Sequence, residues 1–90
     1  MMIFILVRHQ VADYDRWQAE FQADASRRMH SGEQSVRVFR DVDDPKMITI
    51  IEEWPDFPTA QMFIQSEDLR RRMQAGGVMG DPTIMFLQEA

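Results

Sequence analysis

The sequence predicts an α+β domain with the element order βαββαβ. Three observations carry that reading. Residues 2–7 and 47–51 are continuous apolar runs rich in β-branched side chains, the composition of buried strands. Two other stretches repeat apolar residues every three or four positions, the spacing of amphipathic helices. Turn residues punctuate the intervals: Gly32, Asp43-Asp44-Pro45, Gly76-Gly77 and Asp81-Pro82. One copy of this order makes a four-stranded antiparallel sheet with helices on one face only. The other face needs cover, and a second copy of the chain is the expected source.

The first strand is the run 2–7, followed by Arg8-His9-Gln10. Asp13 is placed to cap a helix, because its carboxylate can accept from the free N–H groups of the first turn. Tyr14, Trp17, Phe21 and Ala25 follow as the inner stripe, with Asp15, Gln18, Gln22 and Asp24 on other faces. Arg27 and Arg28 suit the C-terminal end, where the helix dipole favours cations. Gly32 stops the helix. Residues 35–40 alternate, Val36 and Val38 facing one way and Arg37 and Phe39 the other. With the run 47–51 they make a hairpin across Asp43-Asp44-Pro45. Asp56 caps a second helical stretch carrying Ala60, Phe63 and Ile64, with Pro58 tolerated in its first turn. Ser66 re-caps a further piece, 67–75, with Leu69 and Met73 inward. Asp81-Pro82 marks the last turn, and 83–87 is the final strand. The expected strand order is 4-1-3-2.

Ninety residues make one domain, 1–90. At 44% hydrophobic the chain can form a core, but a domain this short buries only roughly 60–65% of its unfolded surface. It has no cysteine, so neither a disulfide nor a thiolate metal site can staple it. A partner chain is the remaining way to add buried area. Lack of cysteine is compatible with the cytoplasm, the expected location. The first apolar run is too short for a secretory signal, and no run reaches the ~18 residues of a membrane helix. A net charge of −5 repels phosphate backbones and anionic surfaces, which disfavours nucleic acid and membrane partners.

Residues 9–17, His-Gln-Val-Ala-Asp-Tyr-Asp-Arg-Trp, with Phe21 four positions on, resemble the strand-to-helix junction of the dimeric α+β barrel proteins. Glu53-Trp54, then Ala60, Phe63, Ser66 and Leu69, resemble the third-strand to second-helix stretch of the same group. The branch most similar is that of the antibiotic-biosynthesis-monooxygenase-like proteins. The resemblance covers nearly the whole chain and is mainly structural. It implies a ferredoxin-like monomer whose sheet pairs with a second copy to close a barrel. It also implies a pocket between helices and sheet. Activities in the group include cofactor-independent oxygenation of polyketide-type aromatics, haem degradation and isomerisation. Haem-degrading members carry a Trp and an iron-ligating His where this chain has Phe63 and Met73, so haem degradation is not expected.

His9 is the leading catalytic candidate. It shares strand parity with Ile3, Ile5, Val7 and Val11, which points it toward the helix side, where a neutral imidazole can act as base or orient a phenol or enol. The plainer reading is a hydrogen-bonded histidine at a strand end. Trp17, Phe21 and Phe63 can wall an apolar pocket for a flat aromatic ligand, although such residues at helical spacing are also ordinary core. Tyr14 can offer a hydroxyl, and Met73 is one of eight methionines suited to an adaptable lining. His30 is explained by the helix C-terminus. Two histidines in unrelated places make no metal-ligand pattern, and no cofactor is expected. Arg37 is placed to pair with Glu52 across the hairpin. Glu52 and Glu53 face opposite ways and cannot act on one bond. Three functions fit: a cofactor-independent oxygenase or isomerase of a small aromatic or polyketide-like molecule, a non-catalytic ligand-binding module, or an accessory dimer with no cavity.

Overall fold

The structure, a computed structural model, describes residues 2–90. Its strands are β1 (Ile3–Val11), β2 (Ser35–Arg40), β3 (Met47–Trp54) and β4 (Val78–Leu87), and its helices α1 (Tyr14–Ala23), α2 (Ala25–Ser31), α3 (Phe57–Ile64) and α4 (Glu67–Ala75). The strands form one antiparallel sheet in the order β2-β3-β1-β4. This is the expected order read from the other edge, and the architecture is ferredoxin-like α+β.

Local chemistry sets the boundaries. The Asp13 carboxylate accepts from the Asp15 N–H at 2.9 Å and opens α1. Asp56 does the same for α3 through Thr59 N–H at 2.8 Å, and Ser66 Oγ for α4 through Leu69 N–H at 3.2 Å. Gly32 ends α2 with φ of +123°, and an added Cβ would meet Thr59 Cγ2 at 2.9 Å. Only glycine can make that turn. The turn delivers Glu33 inward.

Residues of one parity on β1 and β3 form the core: Ile5, Val7, Val11, Ile48, Ile50 and Trp54, with Trp17, Ala60 and Phe63 packed from the helices. Trp54 is fully buried, its ring 4.7 Å from that of Phe63. The other sheet face carries Phe4, Leu6 and Ile51 beside Phe39, Met85 and Leu87, and no helix among the described residues crosses it. Phe39, Met85 and Leu87 are each 40% exposed or more. The apolar runs therefore alternate between buried and half-buried residues within one chain.

Three expectations are corrected. The first helix is interrupted at Asp24, and Asp24 and Arg28, not Ala25, continue its inner stripe. Glu52 lies opposite Val36 and Ile5 on the helix face, so it cannot reach Arg37, which lies opposite Ile51 on the open face and stacks its guanidinium 5.0 Å from Phe39. Finally, β4 begins at Val78 instead of residue 83. Asp81-Pro82 is no turn between elements but part of a bulge inside that strand. Register shifts between Arg8, paired with Thr83, and Gln10, paired with Met79, so Gly80, Asp81 and Pro82 together oppose His9. Pro82 has no N–H for a ladder, and Gly80 takes φ of +69°, as such a bulge requires.

Candidate functional site

His9 sits at that bulge, where β4 bows away from β1. It is 4% exposed, and its ring stands edge-on to Trp17 at 5.8 Å. Burial lowers its pKa below the usual 6.5, so the ring is neutral at pH 7. Its Nδ1 has no hydrogen-bond partner among the described residues. A buried ring nitrogen without a partner costs stability unless a ligand or water completes it.

A cavity of about 40 Å³ opens between α1, α3, α4 and the sheet, room for roughly two or three waters. His9, Trp17, Phe21, Phe63 and Met73 all border it. Trp17 and Phe21 stack at 4.8 Å and make a flat apolar wall. Tyr14 does not border it. Its half-buried ring instead supports the Arg40 guanidinium at 4.0 Å. His30 is exposed, with Nδ1 2.7 Å from Ser26 O. A larger groove of about 450 Å³ runs between α4 and β4 and shares Ile64, Leu69 and Met73 with the cavity wall. No residue of α4 is buried, so this partition rests on the least embedded helix.

The cavity also has a charged side that sequence reasoning missed. Arg28, 3% exposed, donates from Nε to Glu33 at 3.1 Å and from Nη1 to Phe21 O at 2.6 Å, with its guanidinium 3.6 Å from the Phe21 ring. Asp24 receives Arg27 through two bonds of 2.7 and 2.8 Å. Arg72 reaches from α4 to Glu20 at 3.2 Å and to Asp24 at 3.4 Å, tying α4 to α1. Glu52 borders the cavity, is 4% exposed, and has no partner for Oε2 among the described residues. Desolvation first, then the hydrogen bond and charge of Glu33, push the Glu52 carboxyl up to about 9. The signal was present in the chain: Ile48, Ile50, Glu52 and Trp54 share one strand parity. Among the described residues no group of three or more His, Cys, Asp or Glu side chains is arranged to hold a metal. No helix among them is long and apolar enough to cross a membrane.

Solved structures match the whole chain. A protein of Bordetella bronchiseptica, provisionally assigned as an antibiotic biosynthesis monooxygenase, superposes with a TM-score of 0.82 at 18% identity, over 99% of this chain and 97% of that one. SnoaB, a cofactor-independent oxygenase from Streptomyces nogalater, does so at 0.77 and 12% identity, over 99% and 95%. A Caulobacter crescentus protein with the same provisional assignment as the first gives 0.79 at 15%, over 99% and 90%. No protein-family model matches the sequence, and no curated protein matches it. At these identities the likeness is one of fold. At that level the resemblance read from residues 9–17 and 53–69 is borne out: the chain shares the α+β fold of solved structures described as antibiotic biosynthesis monooxygenases.

Proposed function

We propose that this protein is a homodimer that takes a small aromatic or polyketide-like molecule between its helices and sheet and oxygenates it without a cofactor. The observation that carries the reading is His9: buried, neutral, unpartnered at Nδ1, and edge-on to an aromatic wall. The solved oxygenase SnoaB has the same fold, which supports the reading without assigning the activity.

The chemistry needs a base and dioxygen. His9 Nδ1 takes the proton from an activated CH2 or from a phenol conjugated to it. The carbanion gives its electrons to O2, the new C–O bond carries a peroxide, and the histidine returns the proton to make a hydroperoxide. Loss of water leaves a ketone, so that CH2 and O2 become C=O and H2O. The same base without oxygen serves an enol–keto isomerisation. Trp17, Phe21 and Phe63 hold the ring plane, and Met73 with Leu69 must swing aside to join the cavity to the outer groove and admit a ligand. Tyr14, outside the cavity, keeps at most a role in covering the start of α1.

With an anthrone-type substrate, His9→Ala is expected to lower kcat/KM for oxygen uptake by at least ~10² while leaving the oligomer intact. The acid limb of the wild-type profile should fall below pH 6.5, where the buried imidazole finally protonates. Unchanged turnover would remove His9 from the reaction. The alternative, a non-catalytic binding module, is favoured by how little space the cavity offers. Tight ligand binding with no oxygen uptake would establish it.

The pairing rests on the uncovered face of the sheet. Sedimentation at micromolar concentration should give twice the chain mass. Leu6→Arg, which puts a charge at the centre of that face, should return it to a monomer. A wild-type monomer would overturn the dimer.

A further inference from the structure

The polar side of the cavity balances only if Glu52 carries no charge. Three arginines, Arg27, Arg28 and Arg72, meet three carboxylates, Asp24, Glu33 and Glu20. Glu52 is a fourth carboxyl in the same wall with no cation of its own, and a lone buried carboxylate is far costlier than a neutral acid. The charged group that acts on it most strongly is Glu33, whose carboxylate is already fixed by Arg28. A proton between the two carboxyls satisfies both. One oxygen of Glu52 is then engaged with Glu33. The other, Oε2, is left as a carbonyl-type acceptor at the cavity.

We propose that Glu52 Oε2 is a second binding station, which accepts a hydrogen bond from a hydroxyl of the ligand at the end of the cavity away from His9. On the sheet, Glu52 lies opposite Ile5 and His9 opposite Ile48. The two are four residues apart along the strands, about 13 Å between backbone positions at the usual rise, and the side chains shorten the gap from both ends. Once Leu69 and Met73 swing aside and join the cavity to the outer groove, an apolar body of two or three fused rings spans it. The ligand class that fits carries hydroxyl groups at both ends of a flat aromatic skeleton. A ligand carboxylate is rejected, since every arginine in the wall is occupied and Glu20, Asp24 and Glu33 repel it. This rests on the cavity reading proposed above and adds the second pole and the exclusion of anions.

The test compares 2,7-dihydroxynaphthalene, 2-naphthol and 2-naphthoate by quenching of tryptophan fluorescence, since Trp17 borders the cavity. In the wild type the diol should bind roughly five- to tenfold tighter than the mono-ol, the worth of one hydrogen bond, and the acid should bind weakest. Glu52→Gln keeps a neutral amide, whose NH2 can donate to Glu33 and whose oxygen still faces the ligand, so the preference for the diol should survive. Glu52→Leu leaves the Arg28–Glu33 pair intact and folded but removes the acceptor, so the preference should vanish. A diol preference that persists in Glu52→Leu, or naphthoate binding as tightly as the diol, overturns the inference. If 2-naphthol binds and is lost in His9→Ala, yet the diol has no advantage, the station at Glu52 falls and the cavity reading stands. Binding of none of the three overturns both.

Discussion

Between about pH 7 and pH 9 the protein is expected to lose stability as pH rises, and Glu52→Gln is expected to abolish most of that slope. The Glu52 carboxyl titrates near 9 when folded, against 4.5 in the unfolded chain. Across that window the folded state holds a proton that the unfolded state has given up. Stability therefore falls with rising pH, by up to about 1.4 kcal/mol per unit for one proton. Below about 4.5 both states are protonated, above about 9 both are ionised, and the dependence levels out. This is opposite in sign to an ordinary paired carboxylate. Asp41 and Asp56, whose pKa values are lowered by Arg8 and by the Thr59 N–H, act in that ordinary sense, but only below the usual 3.8. His9, held neutral by burial, adds stability as pH climbs toward 6.5 and then stops. The interval from 7 to 9 thus isolates Glu52 among these groups. Urea unfolding at fixed protein concentration, in half-unit steps, measures the slope. A wild type as flat as Glu52→Gln would mean that the acid is ionised in the fold.

The strands, their order and the placement of His9 were legible in the sequence because each depends on parity or on a run of apolar side chains. The end of β1 illustrates it. His9 follows Ile3, Ile5 and Val7 in step, and the structure leaves it on that face. The charged side of the cavity was not legible, because hydropathy assigns an inner stripe by choosing apolar residues. From Phe21 the helical stripe can continue through Ala25 or through Asp24 and Arg28, and hydropathy favours alanine. The fold takes the other branch, since Arg27, Glu33 and Arg72 arrive to neutralise those side chains. Two of these partners come from beyond the helix, and only tertiary structure brings them. Glu52 was misassigned for a related reason: its partner was sought along the hairpin, in Arg37, although its parity with Ile50 and Trp54 placed it under the helices. The start of β4 was missed because Asp81-Pro82 has the chemistry of a turn, and a bulge uses the same chemistry inside a strand.

Arg28→Met is expected to be among the most damaging single substitutions in the chain, removing about 3–5 kcal/mol at neutral pH. Methionine keeps an unbranched stem against Phe21 and fills much of the same volume, so the cost is mainly electrostatic. Glu33 would lose both guanidinium contacts while remaining buried, and Phe21 O would lose its 2.6 Å donor. Total stability of a small domain is only about 5–15 kcal/mol, so a large share of it hangs on this side chain. The proposed proton balance also sets how the loss responds to a second substitution. Adding Glu33→Gln to Arg28→Met should recover most of it, since a neutral amide needs no counter-charge and can still accept the Glu52 proton. A thermodynamic cycle over the two sites, by urea unfolding, reads their coupling directly. Additive single effects would mean that Arg28 acts through packing alone and that the wall holds no charge balance for Glu52 to complete.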